Sequence, residues 1–435
     1  MYDFQTVKNK IFNSKLVNDS FWAIFGNIIA KGLALAAGII VARLLGKEIF
    51  GEYGIIKNTL MSVAIFSTFG LGYTATKFVA EYKNSKPEYI KEILRYSRNI
   101  TLSVSGVMAT GLFITAGYIA EKILEAPHLT ISLRLVAIWI VFNAVTTMQI
   151  GVLAGFSEFK GMARINTVIG LFTFIASLVL TYFYHLNGAL IALLLTQILN
   201  WYLNYRLVEK NLSSGYNIEA KDRLILKKML KFSLPVALQE ILYPITSWLT
   251  SLILIRLSNY GELGLYAAAM QWNAIILYVP GILRNVILAH LAESSKKEVQ
   301  HDRIMRLTLL LSFVLTLIPF LFVFSFSNFI TSFYGISFTG LNAVINIAVF
   351  TTIFTSLSNV YTQAYLSKGM NWIMFTFRVF RDAGIVLITF LLLKNSDGQL
   401  GAIAATYSSL FMNIIFLIII ALFYNFNKQK NDQIA

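Results

Sequence analysis

Cysteine is absent from the 435-residue chain, which excludes disulfide bonds and thiolate metal ligands. Charged residues are scarce at 13%, whereas soluble globular domains contain about 25%. The four histidines are scattered along the sequence and show no metal-ligand spacing. These absences argue against a soluble enzyme, and we expect neither a metal site nor a cofactor.

Apolar residues dominate instead, at 57% of the sequence with a mean hydropathy of +0.67. Apolar runs long enough to cross a membrane, about 20 residues each, recur from end to end. At 1.5 Å per residue, such a run spans the roughly 30 Å of bilayer hydrocarbon as a helix. The composition therefore predicts an all-α integral membrane protein.

Hydropathy windows of about 19 residues predict twelve transmembrane helices. The predicted spans are 20–43, 54–79, 98–120, 130–155, 164–186, 188–207, 232–256, 262–289, 306–333, 339–365, 371–393 and 399–425. Lysine and arginine accumulate in alternate loops, and the opposite side carries little beyond Lys47, Lys122, Arg256 and Lys394. By the positive-inside rule, both termini of this multi-pass plasma-membrane protein are predicted to be cytoplasmic.

The net charge of +15 has the same explanation. Basic loops orient the chain and contact anionic lipid headgroups, at about 1 kcal/mol per residue near the surface. Nucleic-acid binding would need a soluble basic domain, and the sequence contains none. We therefore expect the lipid bilayer as a partner and no nucleic acid.

The longest cytoplasmic loop divides the chain into two halves. Within it, "AKDRLILKKMLKF" places apolar residues at helical spacing against lysines, which predicts an interfacial helix. We expect an N-terminal lobe of six helices at 1–208, a linker with this amphipathic helix at 209–231, and a C-terminal lobe of six helices at 232–435.

Two short stretches recur at an offset of 213 residues. "ARLLGKEIFGEYG" begins at Ala42 and "IRLSNYGELGLYA" at Ile255, and Gly51 aligns with Gly264 without a gap. "NGALIALLLTQILN" and "LGAIAATYSSLFMN" align in the same register near the ends of the two halves. The matches indicate a duplication. Because six spans are an even number, both copies insert in the same direction and form a parallel 6+6 repeat around a central cavity.

The arrangement of "ARLLG" at the end of the first helix and "FGEYG" at the start of the second carries a family resemblance. It resembles the polysaccharide transporters and O-antigen-type lipid-linked oligosaccharide flippases of the multidrug/oligosaccharidyl-lipid/polysaccharide (MOP) exporter superfamily. The resemblance implies a MATE/MOP-like fold. It also implies translocation of a polyprenyl-(di)phosphate-linked oligosaccharide from the cytoplasmic to the outer leaflet, by alternating access through a cationic central cavity. Glycan assembly enzymes are candidate partners, and we expect a monomer.

Charged residues at membrane depth are the candidate site residues, because each costs at least about 2.5–3.5 kcal/mol. Lys31 lies eleven residues into the first predicted span, about 16 Å deep, with Asn27 one turn earlier on the same face. We expect Lys31 to bind the diphosphate of the substrate. Glu240, flanked by Pro235 and Pro244, is the candidate for a coupling proton or sodium ion. A structural ion pair between Lys31 and Glu240 is the alternative for both residues.

The remaining cavity candidates lie in the second, eighth and eleventh spans. Lys57 and Arg284 lie near span ends, where they either line the cavity or extend to the lipid headgroups. Gln271 and Asn273 lie at middle depth in the eighth span.

Three charges lie deep in the eleventh span. Arg378 and Asp382 are four residues apart and are expected to neutralise each other, which would leave Arg381 for the cavity. An internal salt bridge that packs the second lobe is the alternative.

Three other functions are alternatives to a flippase. A cation-coupled multidrug or small-solute exporter would favour acidic rather than basic residues at the cavity centre. A membrane glycosyltransferase or polymerase would need catalytic acids, and the short outer loops hold few: Glu48, Glu52, Glu121, Glu125, Glu262 and Asp397. A scaffold for glycan assembly is the third alternative.

Overall fold

The computed structural model describes residues 15–68, 70–213, 225–230, 233, 241–281, 298–368 and 370–432. Within these ranges every regular element is a helix. The main helices are α1 (Lys15–Thr68), α2 (Leu71–Ser85), α3 (Ile90–Tyr118), α4 (Thr130–Phe156), α5 (Phe159–Ser213), α6 (Leu242–Leu257), α7 (Tyr260–Ile276), α8 (Glu298–Ser325), α9 (Ser327–Ser332), α10 (Leu341–Ser367), α11 (Asn371–Asn395) and α12 (Gly401–Asp432).

Two of these helices contain a break. Gly46 interrupts α1 with φ 73° and ψ 167°, and His185 interrupts α5 with φ 49° and ψ −129°. The two helices are 54 and 55 residues long, about 80 Å each at 1.5 Å per residue, so each supplies two membrane spans.

Seven helices in the described part of the chain are long and apolar enough to cross a membrane, and the two broken helices are among them. The shorter α6 and α7 and the more highly charged α11 coincide with further predicted spans. The described helices thus follow the twelve predicted spans in order.

The second span begins earlier than predicted. The helix resumes directly after Gly46, so "KEIFGEY" forms its first two turns, whereas hydropathy placed the start at residue 54. At the other end the span breaks near Gly70, which has φ 65° and begins α2. The difference changes the depth of Lys57.

The first compact unit comprises residues 1–37 and 56–244. Its central helix is α4, which packs against α2, α3 and α5. In the most apolar 18-residue segment of α4, 56% of the residues are buried. Close approach of α2 and α4 depends on glycine, because a side chain at Gly151 would collide with the backbone of Gly72. Thr76 fixes this contact by donating a hydrogen bond to the Gly151 carbonyl at 3.0 Å.

Part of the predicted linker helix belongs to this unit. Residues 225–230 are helical, and Ile225 and Met229 are fully buried in an apolar cluster with residues such as Phe78 and Val152. Residues 209–213 continue α5. The lobe limits at 208 and 232 stay a prediction.

The second compact unit comprises residues 38–55 and 245–435. Its central helix is α10, which packs against α7, α8 and α12. In the most apolar 18-residue segment of α10, 56% of the residues are also buried. The Tyr365 hydroxyl donates to the Ile420 carbonyl at 2.8 Å, between α10 and α12. The fourth span of each predicted half is thus the core helix of its unit, as the duplication requires.

The repeated stretches of the sequence contact each other within the second unit. A Cβ atom on Gly51 would collide with the Tyr260 carbonyl oxygen, and a Cβ on Gly264 would collide with the Lys47 carbonyl oxygen. The two glycines occupy equivalent positions of the repeat, and each also approaches the backbone nitrogen of the other. Glycine recurs at this position because the starts of two helices pack backbone against backbone.

We predict that Gly51→Ala and Gly264→Ala each destabilise the protein by about 1–3 kcal/mol, because the new methyl group meets backbone that cannot rotate away. Thermal unfolding of purified protein in detergent measures the effect. Gly106→Ala is the matched control, since nothing lies within 4 Å of its added methyl group. An unchanged melting temperature in both repeat variants would contradict the backbone contact.

Candidate functional site

Lys31 and Lys57 both belong to the first unit. They occupy the two arms of α1 on either side of Gly46, about 22 Å and 16 Å from it along the helix at 1.5 Å per residue. Their charges are close enough to repel each other. The side chain of Lys31 is exposed, and that of Lys57 is partly buried.

The predicted span placed Lys57 near a helix end, whereas the structure places it inside the helix. Because the helix begins at residue 47 rather than 54, ten residues of it precede Lys57. A lysine at that depth cannot readily reach the headgroups. The structure brings together two cations that the sequence had placed at different depths.

Two hydrogen bonds join the part of the chain that follows Lys57 to the beginning of the seventh span. Ser62, five residues after Lys57, donates a hydrogen bond to the Pro244 carbonyl at 3.0 Å. Thr74 and Ser233 share a second hydrogen bond of 2.7 Å between hydroxyls. α6 begins at Leu242, so Pro244 lies in its first turn, where proline is tolerated.

Three predicted site residues lie wholly or partly outside the described structure. Glu240 and Arg284 fall outside the described residues. Asn27 lies within α1, and its side chain is not described. Their assignments stay predictions.

Gln271 and Asn273 point in different directions from α7, as residues two apart on a helix must. The Asn273 amide donates to the Ala348 carbonyl at 2.9 Å and joins α7 to α10. Gln271 packs on Gly38 instead, and its buried Oε1 has no hydrogen-bond partner in the described part of the chain. Asn273 is thus engaged in helix packing, whereas Gln271 retains an unused acceptor.

Arg381 forms the ion pair that we had expected of Arg378. Its guanidinium contacts Asp382 Oδ1 through Nε at 2.8 Å and through Nη2 at 2.7 Å. It also stacks over the Phe416 ring at 4.9 Å. Asp382 is thus neutralised by Arg381 rather than by Arg378, and the structure shows the internal salt bridge that packs the second lobe.

Comparison with known sequences identifies a family. The model of the family described as polysaccharide biosynthesis protein matches residues 16–287. An uncharacterized membrane protein of Methanocaldococcus jannaschii is 26% identical over 273 residues. That alignment covers 58% of this chain and 61% of the relative, so the match spans less than two thirds of the relative's length.

Solved structures share the fold. An inward-facing multidrug resistance MATE family transporter of the MOP superfamily has a TM-score of 0.79 at 14% identity, over 92% of this chain and 95% of that one. A MOP superfamily transporter from Pyrococcus furiosus, described as having a binding pocket of reverse polarity that suggests a different function, has a TM-score of 0.69 at 15% identity, over 96% and 97%. The predicted all-α MOP fold and the predicted family are both confirmed. The chain belongs to the polysaccharide biosynthesis protein family and has the membrane fold of the MOP superfamily transporters.

Proposed function

We propose that the protein is a flippase that moves a polyprenyl-(di)phosphate-linked oligosaccharide from the cytoplasmic to the outer leaflet. Family membership supports a polysaccharide-type substrate, and the fold is that of transporters. A two-lobe parallel repeat is suited to alternating access. The cytoplasmic termini follow from the distribution of basic loops and remain part of the proposal.

The mutual repulsion of Lys31 and Lys57 carries the proposal. Two ammonium groups at membrane depth each cost at least about 2.5–3.5 kcal/mol and also repel each other. A diphosphate supplies two negative charges close together, and lysine binds phosphate as a point charge without requiring a fixed orientation. Binding of such a headgroup would offset both the desolvation and the repulsion.

The residues at the equivalent positions of the second copy test whether the fold requires Lys31 and Lys57. At the 213-residue offset, Lys31 corresponds to Pro244 and Lys57 corresponds to Met270. The second copy forms its helices without cations at these positions. We infer that the lysine pair serves ligand binding rather than folding.

An enzyme is less well supported by the outer acids. Glu262 accepts a hydrogen bond from the backbone nitrogen of Ala402 at 2.8 Å, near the start of α12. Lys122, 2.7 Å from Glu121, lowers the pKa of that carboxyl, whereas a general acid needs a raised one. Both carboxylates are engaged in local structure. A drug exporter would couple transport to an acidic residue. The candidate for that role is Glu240, which lies outside the described residues.

We predict that Lys31→Gln and Lys57→Met reduce translocation about tenfold or more, because each removes one charged contact to phosphate, about 1.5–3 kcal/mol. The assay follows a labelled polyprenyl-diphosphate oligosaccharide across reconstituted vesicles. Lys57→Met introduces the residue of the second copy, so the fold should survive, and Lys57→Arg should keep most of the activity. Full translocation by both neutral variants would refute the site.

The same assay distinguishes the rival functions. Translocation of cationic drugs without any oligosaccharide transport would favour the exporter. Vesicles in which neither compound moves would favour the scaffold.

For Arg381 we predict the opposite behaviour. Asp382→Asn should destabilise the protein by about 3–5 kcal/mol, because it leaves the mostly buried guanidinium without its carboxylate. Translocation per folded molecule should be unchanged, since the pair packs α11 and does not contact the substrate. A stable variant with strongly reduced translocation would return Arg381 to the binding site.

A further inference from the structure

A cavity lies entirely within the first unit. It encloses about 860 Å³ between α3, α4 and the part of α5 that follows His185. Each helix contributes side chains at helical spacing, so the cavity is a groove that runs along the helices. Neither lysine of the proposed transport site lines it.

The groove is charged at one end and apolar at the other. Lys91, Arg95 and Arg98 line it from the first turns of α3, and Glu209 faces them near the end of α5. Leu102 lies about 18 Å along α3 from its start at 1.5 Å per residue, and the apolar lining continues there. By the positive-inside rule the charged end is the cytoplasmic one.

The charges do not cancel. Arg95 pairs with the buried Glu92 at 3.4 Å and is thereby engaged within α3. Lys91 and Arg98 form no ion pair with any residue that the structure describes, and Arg98 is exposed. The charged end therefore offers two available cations and one acceptor, Glu209.

A buried amide marks the middle of the groove. Gln149 is 4% exposed, and its Oε1 has no hydrogen-bond partner among the described residues. It lies seven residues before the end of α4, about 10 Å along the helix, and Arg98 and Trp201 of the neighbouring helices line the same cavity. An unsatisfied buried acceptor costs about 1–3 kcal/mol, which a ligand with an N–H or O–H group would recover.

The second copy of the repeat lacks the acid of this groove. Glu209 follows the aligned stretch 187–200 on the same helix, and at the 213-residue offset it corresponds to Leu422. Because the second copy forms its last helix with an apolar residue at this position, Glu209 is not a requirement of the helical architecture.

We propose that this groove binds a phospholipid of the cytoplasmic leaflet whose headgroup carries a hydrogen-bond donor, such as phosphatidylethanolamine or phosphatidylglycerol. The phosphate lies against Lys91 and Arg98. The headgroup donor reaches Gln149 Oε1, and an acyl chain follows the apolar wall toward Phe142. The polarity of the groove matches the orientation of a lipid already in the leaflet.

The length of the apolar wall argues against a free anion, which would leave most of the groove without a complementary ligand. A single phosphate is also sufficient for the two available cations. The site is therefore distinct from the one proposed for the diphosphate, and the inference stands whether or not the protein is a flippase.

Lipid retention by the delipidated full-length protein in detergent tests the proposal, with binding measured by native mass spectrometry. The probes are phosphatidylethanolamine, phosphatidylglycerol and phosphatidylcholine with identical acyl chains, polyprenyl phosphate and inorganic phosphate. We expect the first two to bind about tenfold more tightly than phosphatidylcholine, whose headgroup has no hydrogen-bond donor. Arg98→Gln should weaken all three phospholipids.

Gln149→Leu should remove the preference over phosphatidylcholine while leaving phosphatidylcholine binding unchanged. Gln363→Leu is the matched control, because Gln363 is equally buried, has an unpartnered Nε2, and lies on α10 of the second unit. Val141→Trp should block the acyl chain, and Ile138→Trp, on the exposed face of the same helix, should not.

Equal binding of phosphatidylcholine, or lipid binding that none of the groove variants alters, would overturn the proposal. Tighter binding of polyprenyl phosphate would assign the groove to the transport substrate, and competition by inorganic phosphate alone would make it a free-anion site. Either result also overturns it. Because the measurement involves no transport, its failure is independent of failure of the flippase.

Discussion

The cost of placing a charge in hydrocarbon governs the arrangement of the polar residues in this protein. Apolar helices satisfy their own backbone, so side-chain charges are the groups that need compensation. The described structure compensates them in different ways. Arg381 is neutralised by its neighbour Asp382, whereas Lys31 and Lys57 are close enough to repel each other. This repulsion is the observation from which we propose an anionic headgroup as the ligand.

The internal repeat separates residues that build the fold from residues that serve a ligand. Gly51 and Gly264 recur because their backbones contact each other, and no other residue fits there. The lysine pair does not recur, although the helices that carry it do. Duplication thus provides an internal comparison. Gly51 and Gly264 are required by the same contact in both copies, whereas the second copy forms its helices without the lysines.

Much of the fold could be predicted from the sequence, because span length and apolar composition follow from bilayer thickness. The prediction of the second span's start was wrong for a physical reason. Hydropathy counts "KEIFGEY" as a polar loop, whereas Gly46 alone supplies the change of direction and the polar residues lie within the helix that follows. The repeat indicated that Gly51 mattered but not why, since a backbone contact has no signature in composition.

Side-chain pairing was harder to predict than helices. Spacing of four residues favours a contact between Arg378 and Asp382, but it does not decide between two arginines of equal reach, and Arg381 forms the pair. Spacing of two residues separates Gln271 from Asn273 as α7 turns, so one contacts Gly38 and the other contacts Ala348. The sequence does not identify Gln149 as a binding residue, because a lone amide in an apolar helix resembles an ordinary packing residue until its surroundings are known.

Both proposed binding sites lie in the first unit, and they differ in the number and the position of their cations. Lys31 and Lys57 lie at middle depth, where a phosphate can be stable only while the protein holds it. Lys91 and Arg98 lie near a helix end, where a lipid phosphate resides in any case. A transported headgroup must leave its site, so a costly position for charge suits it. A resident lipid need not leave, and it is bound where the surrounding leaflet already stabilises its headgroup.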